Sequence, residues 1–275
     1  MNPGSLDRFS AEMWALGTTG VEIHEPSPGR IEAEVYFQGS RMSGLDEEFS
    51  ASKIASLARL VSRDSVSDRD WMESYRRQAT PFPLGRGFEV HPGEPGAVEF
   101  ASNSELRPLR IPARAAFGTG SHESTALIVD LLEDMEVTDT TVLDVGTGTG
   151  ILGLVALHLG ARSVVALDVD PVATIAAHEN ATLNRMSMRI FAGRAGAIST
   201  AQKFDILLVN ILPKSVESEL GVLAELMSVD GTAMFSGILV ELQVWFRRKL
   251  ESVGLEVVGN RSRGEWCALR VEHTS

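Results

Sequence analysis

The hydrophobic and polar positions at the start of the chain predict a small α+β unit. Apolar side chains recur at helical spacing in two segments, and two segments between them alternate as strands do. The predicted elements are a helix over residues 6–16, strands over 21–23 and 31–37, and a helix over 45–60. We expect this unit to span residues 1–66, with residues 67–87 as a linker.

From residue 88 onward the pattern changes to a long alternation of strands and helices. Helices fit between the first five predicted strands, which favours right-handed crossovers and a mostly parallel sheet. Only residues 261–264 separate the last two strands, so these must form an antiparallel hairpin. We therefore expect an α/β domain over residues 88–275, with strands near 141–145, 163–168, 188–192, 204–210, 231–236, 255–260 and 265–272.

Composition narrows the classes of protein to which the chain can belong. The 275 residues, 44% of them hydrophobic, suffice for one large and one small domain. A net charge of -12 argues against a nucleic-acid-binding surface. The single cysteine, Cys267, excludes an internal disulfide and a cysteine-rich metal cluster, so no metal is expected. With no export signal and no apolar run of roughly 18 residues, we expect a cytoplasmic protein without a membrane span.

A glycine turn after the first strand of the large domain predicts a nucleotide-type ligand. The strand ends at Asp144 and Val145, and Gly146, Gly148 and Gly150 follow at every second position before a helix-forming run. Such a strand-turn-helix lets a ligand approach the backbone at the start of the helix. Asp168 ends the next strand, where a carboxylate can hold the two hydroxyls of a ribose. The ligand is therefore expected to be an adenosine derivative.

Two cofactors compete for this turn. Gly148, Gly150 and Gly153 also spell the G-x-G-x-x-G pattern of dinucleotide-binding oxidoreductases. However, the carboxylate of Asp144 would repel a pyrophosphate and suits the ammonium group of an amino acid. The antiparallel hairpin at the end of the chain is typical of S-adenosylmethionine-dependent methyltransferases. A tight connection without any ligand would explain one or two of the glycines but not the flanking acids.

Longer motifs add a family resemblance. They are AFGTGSHEST at residues 116–125, VNIL at 209–212, SGIL at 236–239 and GEW at 264–266. Together they resemble the ribosomal protein L11 methyltransferases, the PrmA family, over about residues 70–271. The resemblance implies a seven-stranded, Rossmann-like class I methyltransferase sheet with an antiparallel last hairpin. For the small domain it implies a ferredoxin-like fold, complete or truncated at its first strand, that presents the substrate protein.

The same resemblance implies that Thr125, Gly146, Asp168 and Asn210 contact S-adenosylmethionine. Thr125 lies in the first turn of a predicted helix, and Asn210 closes the fourth strand beside the point where ligands sit in open α/β sheets. Structural alternatives stand beside these roles: the Thr125 hydroxyl can bond its own helix, and Asn210 can hold a turn. For the nearby His122, a general base and a loop-fixing side chain are both open.

Methyl transfer to an amine needs a neutral amine held in line with the donor. The side-chain oxygen of Asn210, or a backbone carbonyl within residues 210–212, is the expected acceptor for that amine. The resemblance implies lysine and N-terminal amines of ribosomal protein L11, free of the ribosome, as substrates and a monomeric enzyme. Alternative hypotheses are a methyltransferase of the same fold acting on another protein's lysine or a small amine, a dinucleotide oxidoreductase, and a binding module without turnover.

Overall fold

The computed structural model describes residues 20–27, 30–37, 80–93, 105–112 and 120–274, together with Phe9, Met13, Leu16 and Thr18. The chain forms two compact units, residues 1–71 and 72–275. The helix predicted over residues 45–60 and most of the predicted linker lie outside the described residues, so both stay predictions. In the described part of the chain, no helix is long and apolar enough to cross a membrane.

The first unit contains the predicted pair of strands. β1 (Gly20–Ser27) pairs antiparallel with β2 (Arg30–Tyr36), with Val21 opposite Val35. Phe9 and Met13 are helical and buried, and they pack with apolar side chains of both strands. The helical spacing at the start of the chain therefore marks the face that covers this hairpin.

A three-stranded sheet opens the second unit and was not predicted. β3 (Phe82–Leu84) pairs antiparallel with β4 (Phe88–His91), which pairs parallel with β5 (Arg107–Arg110). The sequence interpretation placed residues 82–84 in the linker, because strands of three or four residues show too little alternation to stand out. The β3–β4 turn is held by Glu133, whose carboxylate accepts hydrogen bonds from the amides of Arg86 and Gly87.

The main sheet is mixed and has seven strands, in the order β11-β12-β10-β9-β6-β7-β8. All neighbouring pairs from β10 to β8 are parallel, whereas β12 runs antiparallel to both β10 and β11. The predicted terminal hairpin is thereby confirmed. The strands are β6 (Thr141–Val145), β7 (Ser163–Asp168), β8 (Arg189–Ala192), β9 (Phe204–Asn210), β10 (Met227–Leu239), β11 (Leu255–Arg263) and β12 (Trp266–His273).

Helices connect the strands and cover the sheet. They are α1 (Glu123–Leu132), α2 (Ile151–His158), α3 (Pro171–Leu183), α4 (Pro213–Val216), α5 (Leu220–Leu226) and α6 (Gln243–Glu251). The chain leaves β6 for β7 on one side and later returns to pair β9 on the other. This change of direction brings the carboxyl ends of β6, β7 and β9 to one edge, where open α/β sheets bind ligands. α1 packs against β10, β11 and β12 and reaches the same edge through its first turn.

Candidate functional site

The glycine turn is tied to the strand that precedes it and to the neighbouring strand. Asp144 is 1% exposed, and its Oδ2 atom accepts hydrogen bonds from Thr147 Oγ1 at 2.6 Å and from the Gly153 amide at 3.2 Å. The amides of Gly146 and Thr147 both donate to the carbonyl of Leu167, at 2.8 and 2.9 Å. The carboxylate thus lies beneath the turn and joins β6 to the first turn of α2.

Burial sets the protonation of Asp144. Loss of water raises the pKa of this carboxyl to about 6, although the bonds from Thr147 and Gly153 favour the charged form, and the nearby charge of Asp168 raises the pKa further. Its Oδ1 atom is buried without a hydrogen-bond partner among the described residues. These contacts favour a role in shaping the turn. The predicted direct contact with a ligand's ammonium group stays a prediction.

Gly146 is a position where a larger residue would be strained. Its φ angle is 68°, in the left-handed region, and a Cβ atom there would lie 2.6 Å from the side chain of Ile211. Ile211 follows Asn210, so the close approach brings the end of β9 against the start of the turn. Gly148 and Gly150, at φ 54° and 82°, complete the turn, and Gly150 caps α2 without a side-chain bond.

Asp168 ends β7, as predicted, and faces the same turn. Its Oδ2 atom accepts from the Gly148 amide at 3.0 Å, and Oδ1 accepts from the amide of Asp170, also at 3.0 Å. Asp170 supplies the N-cap of α3 by accepting from Val172. Asp168 therefore does not cap α3. Because each carboxylate oxygen has two lone pairs, both can accept a further hydrogen bond from a diol.

The structure brings together Thr125 and Asn210, which lie 85 residues apart. Asn210 Nδ2 donates to Thr125 Oγ1 at 3.2 Å, with Thr125 only 1% exposed. This bond leaves the amide oxygen of Asn210 facing Gly237. A Cβ atom at Gly237 would lie 3.3 Å from Asn210 Oδ1. Glycine at position 237 therefore lets the backbone of β10 lie close to this acceptor oxygen. Thr125 lies in the first turn of α1 and Asn210 closes β9, both as expected.

His122 is the N-cap of α1. Its Nδ1 atom accepts from the Ser124 amide at 3.2 Å, and its ring meets Trp266 edge-on with 4.6 Å between centroids. Burial lowers the pKa of the imidazole, against a smaller raising effect of Glu123, so the ring is neutral near pH 7. Nδ1 therefore carries no proton. This geometry matches the loop-fixing alternative for His122.

One residue that shapes the site was missed in the sequence. Asn180 of α3 is 1% exposed and donates through Nδ2 to the carbonyl of Thr149, inside the glycine turn. It continues a buried stripe formed by Ala173 and Ala177. A polar side chain at such a position implies an interior partner, and this was the available signal. The segment 116–119 of the AFGTG motif lies outside the described residues.

Sequence comparison identifies relatives over nearly the whole chain. The family model for "Ribosomal protein L11 methyltransferase (PrmA)" matches residues 15–274. The chain belongs to the PrmA family. Ribosomal protein L11 methyltransferase of Synechococcus elongatus is 33% identical over 260 residues, covering 91% of this chain and 84% of the relative. That of Geobacter sulfurreducens is 35% identical over 205 residues, covering 74% and 66%.

A solved structure agrees with this assignment. The ribosomal protein L11 methylase from Lactobacillus delbrueckii subsp. bulgaricus superposes with a TM-score of 0.65 at 28% identity. The match covers 71% of this chain and 99% of that one. The family resemblance and the α/β fold with a mixed sheet are thereby confirmed.

Proposed function

We propose that this PrmA-family chain is an S-adenosylmethionine-dependent methyltransferase that methylates amines of ribosomal protein L11. The observation that carries the proposal is the hydrogen bond between Thr125 and Asn210. It joins the AFGTG and VNIL motifs beside the glycine turn. The family match over residues 15–274 supplies the substrate, because the relatives at about one-third identity are named for L11.

The residues present fit an S-adenosyl group. When bound, S-adenosylmethionine supplies the methyl group as an electrophile on a sulfonium. Glycine at position 146 lets the turn pack directly against Ile211 at the end of β9, and Asp168 offers two carboxylate oxygens at the end of β7. We propose that Asp168 holds the ribose and that the turn at Gly146, Gly148 and Gly150 accommodates the amino-acid end. In this proposal Asp144 contributes by fixing the turn from below.

Asn210 is the proposed catalytic residue. Its Nδ2 group is engaged by Thr125, which leaves its Oδ1 atom, beside the backbone of Gly237, as the proposed acceptor for the amine. An oxygen acceptor there binds a neutral amine through N–H and directs the nitrogen lone pair away from itself, toward the methyl donor. For lysine, being neutral at pH 7 costs roughly 4–5 kcal/mol, and for a terminal amine about 1 kcal/mol. A water-poor site lowers both costs.

We further propose a monomeric, cytoplasmic enzyme that acts on L11 before it joins the ribosome, at lysine and N-terminal amines. The small first unit is proposed to present the substrate as a ferredoxin-like domain, with the β1–β2 hairpin as its described part. A class I methyltransferase assignment is supported by the strand order with its antiparallel β12. The net charge of -12 suits a basic substrate protein better than a nucleic acid.

The test is methyl transfer to recombinant L11 by the purified chain with labelled S-adenosylmethionine. We expect label on L11, and an Asn210→Ala variant that is at least tenfold slower, since such a bond contributes about 1.5–3 kcal/mol to a polar transition state. Asp205→Asn is the matched control. It lies at the opposite end of β9, where Asp205 accepts from Thr141 and Ser228, and should leave the rate within twofold.

Three results would contradict parts of the proposal. Label on another lysate protein or on a small amine, with none on L11, would favour the alternative substrates for the same fold. Protection against thermal unfolding by NAD and not by S-adenosylhomocysteine would favour the dinucleotide oxidoreductase. N210A that methylates L11 at the wild-type rate would remove the catalytic assignment of Asn210.

A further inference from the structure

Two asparagines one helical turn apart at the end of α3 contact two separate segments of the chain. Asn180 reaches the glycine turn, and Asn184, at the C-cap of the helix, reaches the end of β5. Neither residue has a role in the proposed chemistry. Both carry side-chain amides that bond only to backbone groups among the described residues.

Asn180 fixes the middle of the glycine turn. Its Nδ2 atom donates to the carbonyl of Thr149 at 2.9 Å in a fully enclosed position. Thr149 lies between Gly148 and Gly150, both in the left-handed region. A turn rich in glycine has many accessible backbone conformations, so a bond to its centre removes much of that freedom. The turn is therefore held from α3 as well as from β6.

Asn184 acts as a strand partner for the end of β5. Its Oδ1 atom accepts from the Arg110 amide at 2.8 Å, while Nδ2 donates to the Arg110 carbonyl, also at 2.8 Å. The same Nδ2 donates to the carbonyl of Asn180 at 2.8 Å, which aligns the two asparagines. From Arg110 the chain runs through the AFGTG motif to α1 and Thr125. Asn184 thus fixes the end of β5, the described strand that precedes α1 along the chain.

We propose that Asn180 and Asn184 are positioning residues that hold the glycine turn and the end of β5 in the arrangement the cofactor needs. This inference rests on the proposed function. The glycine turn lies at the proposed cofactor site, the end of β5 precedes Thr125 along the chain, and one helix supplies the anchor for each. If a segment is ordered before binding, the cofactor does not have to order it, and affinity is higher. Loss of either anchor should therefore weaken cofactor binding beyond any loss of stability.

The experiment measures the Kd for S-adenosylhomocysteine by isothermal titration on the full chain, together with hydrogen exchange of the free protein. N180A and N184A are each expected to raise Kd about tenfold, and N180A should speed exchange at the amides of Gly148 to Gly150. N184D keeps the acceptor for the Arg110 amide but places a carboxylate oxygen against the carbonyls of Arg110 and Asn180, so its Kd should be at least as high as that of N184A. Asp205→Asn replaces one of the two acceptor oxygens of a network at the opposite end of β9 and serves as the control for stability.

The outcomes separate this inference from the proposed function. If wild-type protein binds S-adenosylhomocysteine and N180A and N184A bind it equally well, the positioning role is wrong while the proposed function stands. If all three variants and D205N weaken binding in proportion to their loss of melting temperature, the asparagines are merely structural and the inference also fails. If N180A does not fold, the Kd values of N184A and N184D decide whether the anchors affect binding. Wild-type protein that binds no S-adenosylhomocysteine would overturn the proposed function itself.

Discussion

Replacing Asp144 with asparagine tests how the buried carboxylate supports the glycine turn. The pKa of Asp144 rises from an ordinary value of 3.8 to about 6, mainly because burial removes water from it. A raised pKa means that the folded protein binds the proton more tightly than the unfolded chain does. Ionisation of Asp144 therefore lowers the free energy of unfolding as the pH rises through 6, by about 3 kcal/mol in total. Roughly half of this cost appears between pH 5 and pH 8.

The assay is urea denaturation of wild type and D144N across that pH range. The asparagine side chain of D144N keeps an oxygen that can accept from Thr147 and Gly153 but does not ionise, and other titrating groups cancel in the comparison. We expect the free energy of unfolding of D144N, relative to wild type, to increase by about 1–1.5 kcal/mol from pH 5 to pH 8. A difference that is constant over this range would show that Asp144 titrates as an ordinary carboxylate. If D144N binds S-adenosylhomocysteine more weakly than wild type at every pH in this range, Asp144 contacts the ligand directly.

Three further substitutions probe other parts of the site. Gly146→Ala should lower the free energy of unfolding, measured in urea, by about 1–2 kcal/mol, because position 146 has a positive φ and contacts Ile211. The control G221A in α5 should stabilise the protein slightly, because a Cβ atom there has no neighbour within 4 Å. His122→Asn keeps an N-cap acceptor and should retain kcat within about threefold from pH 6 to 8. H122A loses the cap and should lower the free energy of unfolding by about 1 kcal/mol. An equal loss of kcat in both variants would support the general-base hypothesis for His122. Asp168→Ala should raise the KM for S-adenosylmethionine at least tenfold with the KM for L11 unchanged, and a change in the KM for L11 alone would contradict the ribose assignment.

The strand-end residues could be located from the sequence because a strand's end is visible there. Hydrophobic runs stop at Asp168 and Asn210, and parallel strands align their carboxyl ends at one edge. Thr125 was placed by its position at the start of a helical pattern. The contact between Thr125 and Asn210 could not be predicted from the pattern, because this contact depends on how α1 packs on β10 and β12.

Other features escaped prediction for physical reasons. Strands as short as β3 show no usable alternation, so the three-stranded sheet was taken as linker and loop. Asn180 looks like a surface residue in a helix rich in alanine, and only its place in the buried stripe distinguishes it. The hydrogen-bond partners of Asp144 depend on the tight geometry of the turn, which the sequence pattern does not show. In this geometry the carboxylate, predicted to contact a ligand's ammonium group, is buried beneath the turn.

The most direct test of the proposed function is the intact mass of ribosomal protein L11 from cells with and without this chain. We predict that L11 from cells containing the chain is heavier by whole multiples of a methyl group, and that the increase disappears when the chain is deleted or carries Asn210→Ala. An L11 mass that is the same with and without the chain would contradict the proposed function.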